Sequence, residues 1–375
     1  MGKQSARMYF RGNEHSDVYF KNEGEGTTYN HYKIYRGNQL LWERSRPKFI
    51  FTNSNGYIHT SEKIQFLSSF IKFKKSAGEC AYGFETYFIK AYDDENYYIY
   101  YSQNGYEWKE LIKFDNEICR TIKKDKKGIL VLTDKRLLRI TQNENCFSAE
   151  TIFYHDEVLE NNKTCIGAAS QILVGDEFTI IAIHTDKIVR IINTVQLLRG
   201  YRDCLIMLDN QTNEIRTLNT ALNFIPSFQG GCYHAGYFYC VFWNGKEDFY
   251  GENPIVTLER TKDGYSWETY ISSDILSKFD GYSMQLFFAK NNLFIAPRNG
   301  MIIKTNDGKN LTETRIPVSG TLFYIKDALI FSNDAGDVYK STDLLESYEK
   351  VKITEAGSAH FISMACADES IEVIF

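Results

Sequence analysis

The sequence predicts an all-β protein: a single β-propeller whose four-stranded antiparallel blades are closed into a ring by pairing of its N- and C-terminal strands. Three observations favour this fold, namely the aromatic content, a strand-and-turn pattern that recurs at blade-sized intervals, and an incomplete last unit. Phe, Tyr and Trp make up 15% of the 375 residues, whereas there are only 5 Pro. Aromatic and β-branched side chains fit pleated surfaces, so this composition favours strands.

The recurring pattern is an apolar strand that enters a polar turn and is followed by an aromatic or large apolar residue. Its clearest copies are residues 97–108 and 256–269. Eight copies can be counted, and their turns open at Lys21, Thr60, Ser102, Thr141, Asp209, Thr261, Thr305 and Ser341. Most neighbouring turns are roughly 40 residues apart, which is the length of a four-stranded blade. We therefore predict eight blades, with seven as the alternative because the Asp209 unit is irregular.

The two ends of the chain predict how the ring closes. Two apolar segments, 359–365 and 371–375, stand where a full unit would have four strands, and the chain begins near the last two strands of a unit. Pairing the first and last segments closes the ring and removes free strand edges, which invite aggregation. No low-complexity linker divides the sequence, so we predict one domain over residues 1–375. Two insertions near 186–203 and 243–254 are longer than ordinary hairpins.

The composition argues against several classes of protein. The formal net charge is −5, and the short basic runs 72–75 and 123–127 are typical of solvated hairpin tips rather than of a nucleic-acid site. No run of about 18 apolar residues occurs, so we predict no membrane span. The first residues lack the apolar core of a signal peptide, and the 8 cysteines include no Cys-x-x-Cys pair. These features favour a cytoplasmic protein with reduced thiols; incorporation into a phage or toxin particle is the alternative.

Four of the turns share a short motif. The best copies are Ser102-Gln-Asn104-Gly105-Tyr-Glu-Trp108 and Thr261-Lys-Asp263-Gly264-Tyr-Ser-Trp267. Thr305-Asn-Asp307-Gly308 keeps the front of the motif but has Leu311 in place of Trp, and Ser341-Thr-Asp343 lacks the Gly and is followed by Tyr348. These turns resemble the Asp-box, also called the BNR repeat, whose pattern is Ser/Thr-x-Asp-(x)-Gly-x-x-Trp.

The Asp-box family includes sialidases, related glycan-acting propellers, a photosystem II assembly factor and many proteins without known activity. The resemblance implies that each box lies at the outer hairpin between the third and fourth strands of a blade, away from the usual binding face. Inside such a turn the Ser, Thr or Asp oxygens accept backbone N–H groups, and Gly adopts a conformation closed to other residues. We therefore predict structural roles for Ser102, Asn104, Gly105, Trp108, Thr261, Asp263, Gly264, Trp267, Thr305, Asp307, Gly308, Ser341 and Asp343.

A sialidase would also need an Arg triad, a Tyr–Glu nucleophile pair, an Asp acid/base and an Arg-Ile-Pro motif near its beginning. Here Arg-Ile-Pro occurs at 315–317, where an outer strand is expected, and Arg46-Pro47 lacks the Ile. The seven histidines form no recognisable zinc spacing, and no Gly-rich phosphate loop leads from a strand into a helix. We predict no catalytic residues, no metal and no cofactor. If the protein is an enzyme, a glycoside hydrolase that uses two carboxylates is the expected class.

The two insertions are the best candidates for a recognition surface, because long loops on a rigid scaffold often carry function. Aromatic and Arg side chains are typical anchors of protein contacts. The predicted binding residues are Trp243, Phe249, Tyr250, Arg190, Arg199 and Arg202. For Trp243, burial at the end of a strand beneath its own loop is an equal alternative. The predicted function is a non-enzymatic scaffold for a protein partner, and the alternative is a glycan-binding or glycan-hydrolysing propeller.

Overall fold

The computed structural model consists almost entirely of strands. It describes residues 8–10, 13–15, 18–20, 33–36, 39–43, 48–61, 69–72, 76–144, 146–158, 164–165, 171–192, 196–218, 227–244, 255–272, 274–277, 284–297, 300–318, 320–325, 327–351, 360–367 and 373–374. Two helices, α1 (His155–Val158) and α2 (Asp274–Ser277), have four residues each. In this part of the chain, no helix has the length and apolar character that crossing a membrane requires.

The strands follow one another in short antiparallel hairpins. In chain order they are β1 (Met8–Phe10), β2 (Asn13–His15), β3 (Val18–Phe20), β4 (Lys33–Arg36), β5 (Gln39–Glu43), β6 (Phe49–Asn53), β7 (Tyr57–Ser61), β8 (Ser69–Lys72), β9 (Ser76–Gly83), β10 (Thr86–Tyr92), β11 (Tyr97–Ser102), β12 (Lys109–Phe114), β13 (Cys119–Lys124), β14 (Ile129–Thr133), β15 (Arg136–Asn143), β16 (Cys146–Tyr154), β17 (Thr164–Cys165), β18 (Gln171–Val174), β19 (Phe178–Ile192), β20 (Gln196–Asp209), β21 (Ile215–Thr217), β22 (Ser227–His234), β23 (Tyr237–Asn244), β24 (Ile255–Thr261), β25 (Trp267–Ser272), β26 (Met284–Ala289), β27 (Asn292–Pro297), β28 (Met301–Thr305), β29 (Thr312–Arg315), β30 (Phe323–Ile325), β31 (Ala328–Ser332), β32 (Val338–Ser341), β33 (Glu349–Val351), β34 (Phe361–Cys366) and β35 (Val373–Ile374).

Seven antiparallel sheets form the blades of a propeller. From the innermost to the outermost strand they are blade 1 (β34-β6-β7-β8), blade 2 (β9 to β12), blade 3 (β13 to β16), blade 4 (β18 to β21), blade 5 (β22 to β25), blade 6 (β26 to β29) and blade 7 (β30 to β33). Blade 4 gains the short strand β17 beside β19, and blade 7 gains β35 beside β30. The predicted all-β propeller of four-stranded blades is thus confirmed.

The count of seven, predicted as the alternative, is confirmed, and the count of eight is wrong. The irregular Asp209 unit is a true blade, blade 4. The extra unit is the first one. The turn opened by Lys21 lies outside the described residues, and the strands around it, β3 and β4, pair with β5 in a separate three-stranded sheet. A strand-turn-aromatic pattern marks any antiparallel hairpin, so it counted one hairpin that belongs to no blade.

Ring closure by the two ends of the chain is also confirmed, but the two ends contribute different numbers of strands from those expected. Blade 1 takes three strands, β6 to β8, from the beginning of the chain and only β34 from its end. The second C-terminal segment, β35, pairs with β30 of blade 7 instead. Because β34 pairs antiparallel with β6, residues more than 300 positions apart in sequence complete one sheet.

Each of the seven seams between neighbouring blades contains a cluster of buried apolar side chains. Blade 3 shows how one strand serves two seams. In β14, Ile129 and Val131 pack in the seam with blade 2, whereas Leu130 and Leu132 pack in the seam with blade 4. Successive side chains of a strand point to opposite faces of the sheet, so a wholly apolar strand fills both seams. The core of the protein is therefore a closed circle of seams.

The closing strand β34 is bonded to three blades. Its Phe361 ring lies 5.1 Å from the Phe51 ring of blade 1, measured between centroids. The Phe361 backbone N–H donates to Ser332 Oγ of blade 7 at 2.7 Å, and Ser363 Oγ accepts the Cys80 N–H of blade 2 at 3.0 Å. Both apolar packing and hydrogen bonds thus hold the closing strand in place.

We expect Phe361→Ala to lower the free energy of unfolding by about 3 to 5 kcal/mol, the usual cost of truncating a buried Phe. Phe361 is only 2% exposed and joins blades 7 and 1. Urea unfolding measures the loss. The control is Tyr265→Ala, because Tyr265 is 46% exposed and its loss should cost less than about 1 kcal/mol. Equal losses for the two variants would contradict a stabilising role for the closing strand.

Candidate functional site

The strand connections divide the ring into two faces. Antiparallel strands reverse direction at each connection, so the first-to-second and third-to-fourth connections share one face. Lys126 and Lys127, in the first connection of blade 3, demonstrate this, because their Nζ atoms donate to Asp176 O and Gln211 O in the two corresponding connections of blade 4. We call this side the box face. The opposite side, the insertion face, carries the second-to-third connections and the connections between blades.

The four motif turns lie on the box face. In blade 5, Thr261 Oγ1 accepts the Gly264 N–H at 2.9 Å, and Asp263 Oδ1 accepts the N–H groups of Tyr265 (2.8 Å) and Ser266 (2.7 Å). The indole Nε1–H of Trp267 donates to Gly264 O at 2.9 Å. The motif side chains are therefore hydrogen-bonded to the backbone of their own turn.

The same bonds recur in the other motif turns. Ser102 Oγ accepts the Gly105 N–H at 2.8 Å, and Thr305 Oγ1 accepts the Gly308 N–H at 3.0 Å. In blade 2 the Asp position is Asn104, whose Oδ1 accepts two backbone N–H groups at 3.0 and 2.9 Å. An uncharged amide can therefore make the bonds of the turn, so its geometry does not require a carboxylate.

The turn without glycine shows what glycine contributes. Gly105, Gly264 and Gly308 have positive φ values of 77°, 76° and 73°. In blade 7 the Ser341 turn has no Gly, and Leu345 adopts φ 71° while its N–H donates to Ser341 Oγ. Glycine adopts this left-handed conformation without the steric cost that a Leu side chain incurs.

In three of the motif turns the last residue packs toward the preceding blade. Trp108 packs in the seam between blades 1 and 2, Trp267 in the seam between blades 4 and 5, and Leu311 in the seam between blades 5 and 6. The Trp267 ring meets the Phe242 ring edge-on, with centroids 5.5 Å apart. The motif thus joins a local turn to an inter-blade contact.

The turn carboxylates have lowered pKa values. Backbone N–H groups of Asn310 and Lys309 lower the pKa of Asp307 to about 2. The pKa of Asp343 is also lowered to about 2, mainly by hydrogen bonds from Ser347, and the Ser266 N–H lowers that of Asp263. A glycosidase general acid needs the opposite shift, because it must hold a proton near neutral pH. The environment of these carboxylates suits a charged hydrogen-bond acceptor.

The first predicted insertion extends a hairpin of blade 4. Strands β19 and β20 pair from Phe178 and Asp209 out to Ile192 and Gln196. On one side of the hairpin, β17 and β18 pair with β19, and this pairing ends at Asp186. On the other side, β21 pairs with β20, and this pairing begins at Ile206. Beyond these pairs the described strands of the hairpin continue as a two-stranded ribbon. From Asp186 to Ile192 it spans roughly 20 Å.

The predicted Arg residues lie on this hairpin. Arg199 is paired with Ile188, and Arg190 is paired with Leu198. Arg202, paired with Thr185, lies nearer the blade. A register shift falls between residues 188 and 190, so the ribbon is bulged there. The side chains of these three arginines lie outside what the structure describes.

The second predicted insertion connects β23 and β24 of blade 5. Trp243 and Asn244 are the last residues of β23, and their backbones pair with Val256 and Ile255 of β24. The chain therefore leaves and re-enters the sheet at one point. Phe249 and Tyr250 lie outside the described residues, as does the Trp243 side chain. The structure thus places Trp243 at a strand end without deciding between the two predicted environments of its ring.

Both insertions are second-to-third connections, and they belong to adjacent blades. Such connections all emerge on the insertion face because the blades repeat the same strand order around the ring. The described backbone positions of the three arginines and of Trp243 therefore lie on one side of the propeller, in neighbouring blades. The structural motif residues lie on the other side.

The insertion face also holds a partly buried ion pair, with a buried carboxylate, that the sequence did not reveal. Glu117 accepts the Arg136 Nε–H at 3.0 Å and an Nη2–H at 3.1 Å, and Thr133 Oγ1 donates to it at 2.5 Å. Glu117 is 9% exposed. It stands in the polar connection between blades 2 and 3, which resembles any solvated loop in sequence, so no local pattern marks its burial.

A buried histidine, His155, contacts the backbone of Asp134, two residues before Arg136. His155 is 4% exposed, and its Nδ1 lies 3.2 Å from Asp134 O. Burial lowers its pKa to about 4, and its Nε2 has no hydrogen-bond partner among the described residues. An open cavity of about 500 Å³ lies between α1 and blade 4, where it is lined by Glu157 of α1 and by the three residues of β21.

We find no metal centre in the described ranges, because no three His, Cys, Asp or Glu side chains there are arranged to hold an ion. The sequence pair Cys232 and His234 illustrates this. Burial raises the pKa of the Cys232 thiol, and the His234 ring stacks on Phe288 with centroids 4.1 Å apart. The described environment of Cys232 does not favour the thiolate that binds metals.

Comparison with known proteins supports the fold and goes no further. No family model matches the sequence, and no curated protein matches it. Among solved structures, Sqt1 of Saccharomyces cerevisiae is similar, with a TM-score of 0.51 and 12% identity over 88% of this chain and 94% of that one. The chain is a seven-bladed β-propeller, and the Asp-box resemblance rests on its turn residues alone.

Two further structures have lower scores. AztD of Citrobacter koseri has a TM-score of 0.46 and 7% identity over 87% of this chain and 98% of that one. YCF48, solved with a D1 peptide bound, has a TM-score of 0.45 and 10% identity over 81% of this chain and 95% of that one.

The lowered carboxylate pKa values predict how stability depends on pH. The unfolded-state pKa of Asp is about 3.9, and the folded-state values of Asp307 and Asp343 are about 2. Their stabilisation is therefore fully present above about pH 4 and is lost as the pH falls through about 2. The double variant Asp307→Asn/Asp343→Asn keeps the acceptor oxygens, as Asn104 does in blade 2. It should lose less stability than the parent between pH 4 and pH 2.

Thermal unfolding across this pH range measures the difference. The matched control is Asp94→Asn, because Asp94 is exposed in a turn on the insertion face. It should follow the parent. A double variant with the same acid sensitivity as the parent would show that these carboxylates do not stabilise the folded turns.

Proposed function

We propose that the protein is a non-enzymatic scaffold that holds a protein partner against its insertion face. The observation that carries the proposal is the position of the two insertions on adjacent blades of that face. The ribbon of blade 4 and the connection of blade 5 together would form an extended contact surface on a rigid base. Such a surface suits a macromolecule better than a small ligand, which usually occupies an enclosed pocket.

The residue types of the insertions support a protein partner. Arg, Trp and Tyr are enriched among the residues that dominate binding energy in protein interfaces. The first insertion contributes three Arg and one Tyr, and the second contributes one Trp and one Tyr. We assign the contacts to Arg190, Arg199 and Arg202 on the ribbon and to Trp243, Phe249 and Tyr250 on blade 5. A partner with acidic side chains would pair with the arginines of the ribbon.

The proposal gives the motif turns a structural role. Their hydroxyl and carboxyl oxygens are already used by backbone N–H groups, and the Trp267 indole N–H is bonded within its turn. Binding a ligand through these same atoms would break bonds that shape the turn. We therefore assign stability to the box face and recognition to the insertion face.

We expect two changes on the insertion face to abolish capture of the same partners. One is deletion of residues 245–252, and the other is Arg190→Glu/Arg199→Glu, which reverses charge on the ribbon. Affinity capture from the source cells, compared by quantitative mass spectrometry, measures the loss. The matched control is Lys262→Glu/Lys309→Glu on the box face, because both residues are exposed. This control should retain every partner.

Two outcomes would contradict the proposal. One is that the insertion variants, shown to be folded by circular dichroism, bind the parent's partners unchanged; the other is that the box-face control loses those partners equally. A fluorogenic sialoside assay and a glycan array test the glycan alternative directly. Hydrolysis or sugar binding by the parent protein would replace the scaffold with a glycan-directed function.

A further inference from the structure

The innermost strand of each blade has one edge paired with the second strand and one edge that faces the ring axis. At several seams between described blades, a side chain of one blade bonds the backbone of the next blade's innermost strand or of the residue just before it. Ser363 Oγ accepts the Cys80 N–H at 3.0 Å, and Glu79 Oε2 accepts the Ile122 N–H at 2.9 Å. Gln285 accepts the Leu322 N–H and donates to its carbonyl oxygen. Buried backbone groups need such partners because leaving them unpaired is costly.

In blade 7, a whole strand rather than a side chain covers the axial edge of β30. Tyr324 pairs with Ile374, and Ile325 pairs with Val373, in an antiparallel ladder. The covering strand, β35, also lies against β34, at the seam where the ring closes. This edge of β30 therefore accepts an extended backbone, in the manner of strand addition to a sheet.

One feature of this covering strand favours its exchange, and another opposes it. It contributes only two residue pairs, whereas the pairing between β9 and β10 has six. A short connection to β34 keeps it close to the edge, so it competes with any segment from another protein. Because β30 has three residues, an extended segment that pairs with all of them would add one residue pair to the two that β35 makes.

We propose that the axial edge of β30 is a docking site for an extended, β-branched apolar segment of a partner protein, and that Val373–Ile374 occupies it when the partner is absent. The residue class follows from the present occupant, whose two paired residues are Val and Ile. Phe323 and Ile325 of β30 are buried, which also favours an apolar segment beside them. This site is separate from the insertion face, so it adds a second mode of contact to the proposed scaffold.

The experiment uses a labelled synthetic peptide of residues 370–375 as the probe. Fluorescence anisotropy compares its binding to the parent protein and to a variant that lacks residues 371–375. We expect the truncated variant to bind the peptide at least about tenfold more tightly, because the tethered strand no longer competes. A peptide N-methylated at the residues equivalent to Val373 and Ile374 should not bind, because it cannot donate ladder hydrogen bonds. Amide exchange in β30 should accelerate on truncation and slow again with the unmethylated peptide.

A second, full-length variant tests the proposal even if the truncated chain does not fold. Val373→Pro/Ile374→Pro keeps the full length but removes both N–H donors, and it should bind the peptide as the truncated variant does. A folded variant that binds no peptide overturns the proposal, and so does equal binding of the methylated peptide. Deleting residues 245–252 should leave peptide binding unchanged, so failure at this edge is distinguishable from failure of the insertion-face proposal.

Discussion

The fold depends on burial of apolar side chains in the seams between blades. A four-stranded sheet has two faces, and in blade 3 the strand β14 presents apolar residues on both of them. Such a sheet cannot bury both faces by itself, so every blade needs a neighbour on each side. A ring meets this need for all seven blades at once, whereas an open row would leave two faces exposed. Closure by β34 is therefore a requirement of the packing.

Polar side chains fix how neighbouring blades meet. The pair Arg139 and Asp125 is 5% and 2% exposed in blade 3, and Arg139 Nη1 also donates to Asn213 Oδ1 of blade 4 at 2.7 Å. Asp176 of blade 4 accepts the Tyr233 hydroxyl of blade 5 at 2.7 Å. Buried ion pairs add little net stability compared with apolar packing, because both charges lose their hydration. We infer that these bonds mainly set the register between blades, while the apolar seams supply most of the stability.

Local patterns in the sequence were sufficient for the architecture but not for its long-range pairings. The strand-and-turn pattern located an outer hairpin in every blade, because each hairpin needs its own turn residues within a short segment. It failed at Lys21 because a hairpin outside the ring needs the same residues. The partner of β35 was also missed, since two residues carry no periodicity that could select β30 over another edge.

In the candidate site, too, the local features could be predicted from the sequence and the long-range ones could not. The insertions were visible as departures from the repeat length, so their residues could be predicted. Their position on one face of adjacent blades could not, because that depends on which strands each insertion connects. Glu117 was missed because its burial results from Arg136, which is 19 positions away, and from the blades around it. A buried charge of this kind is defined by tertiary contacts and leaves no mark in the local sequence.

The box-face turns and the ribbon of blade 4 differ in how closely they are tied to the ring. On the box face, turn carboxylates and hydroxyls accept N–H groups of the same turn, and lysines of blade 3 bond to carbonyl oxygens of blade 4. A ligand there would compete with bonds that hold the ring together. The outer part of the blade 4 ribbon extends beyond the strands that flank it in the blade. A partner bound there, as we propose, would leave the seams between blades intact.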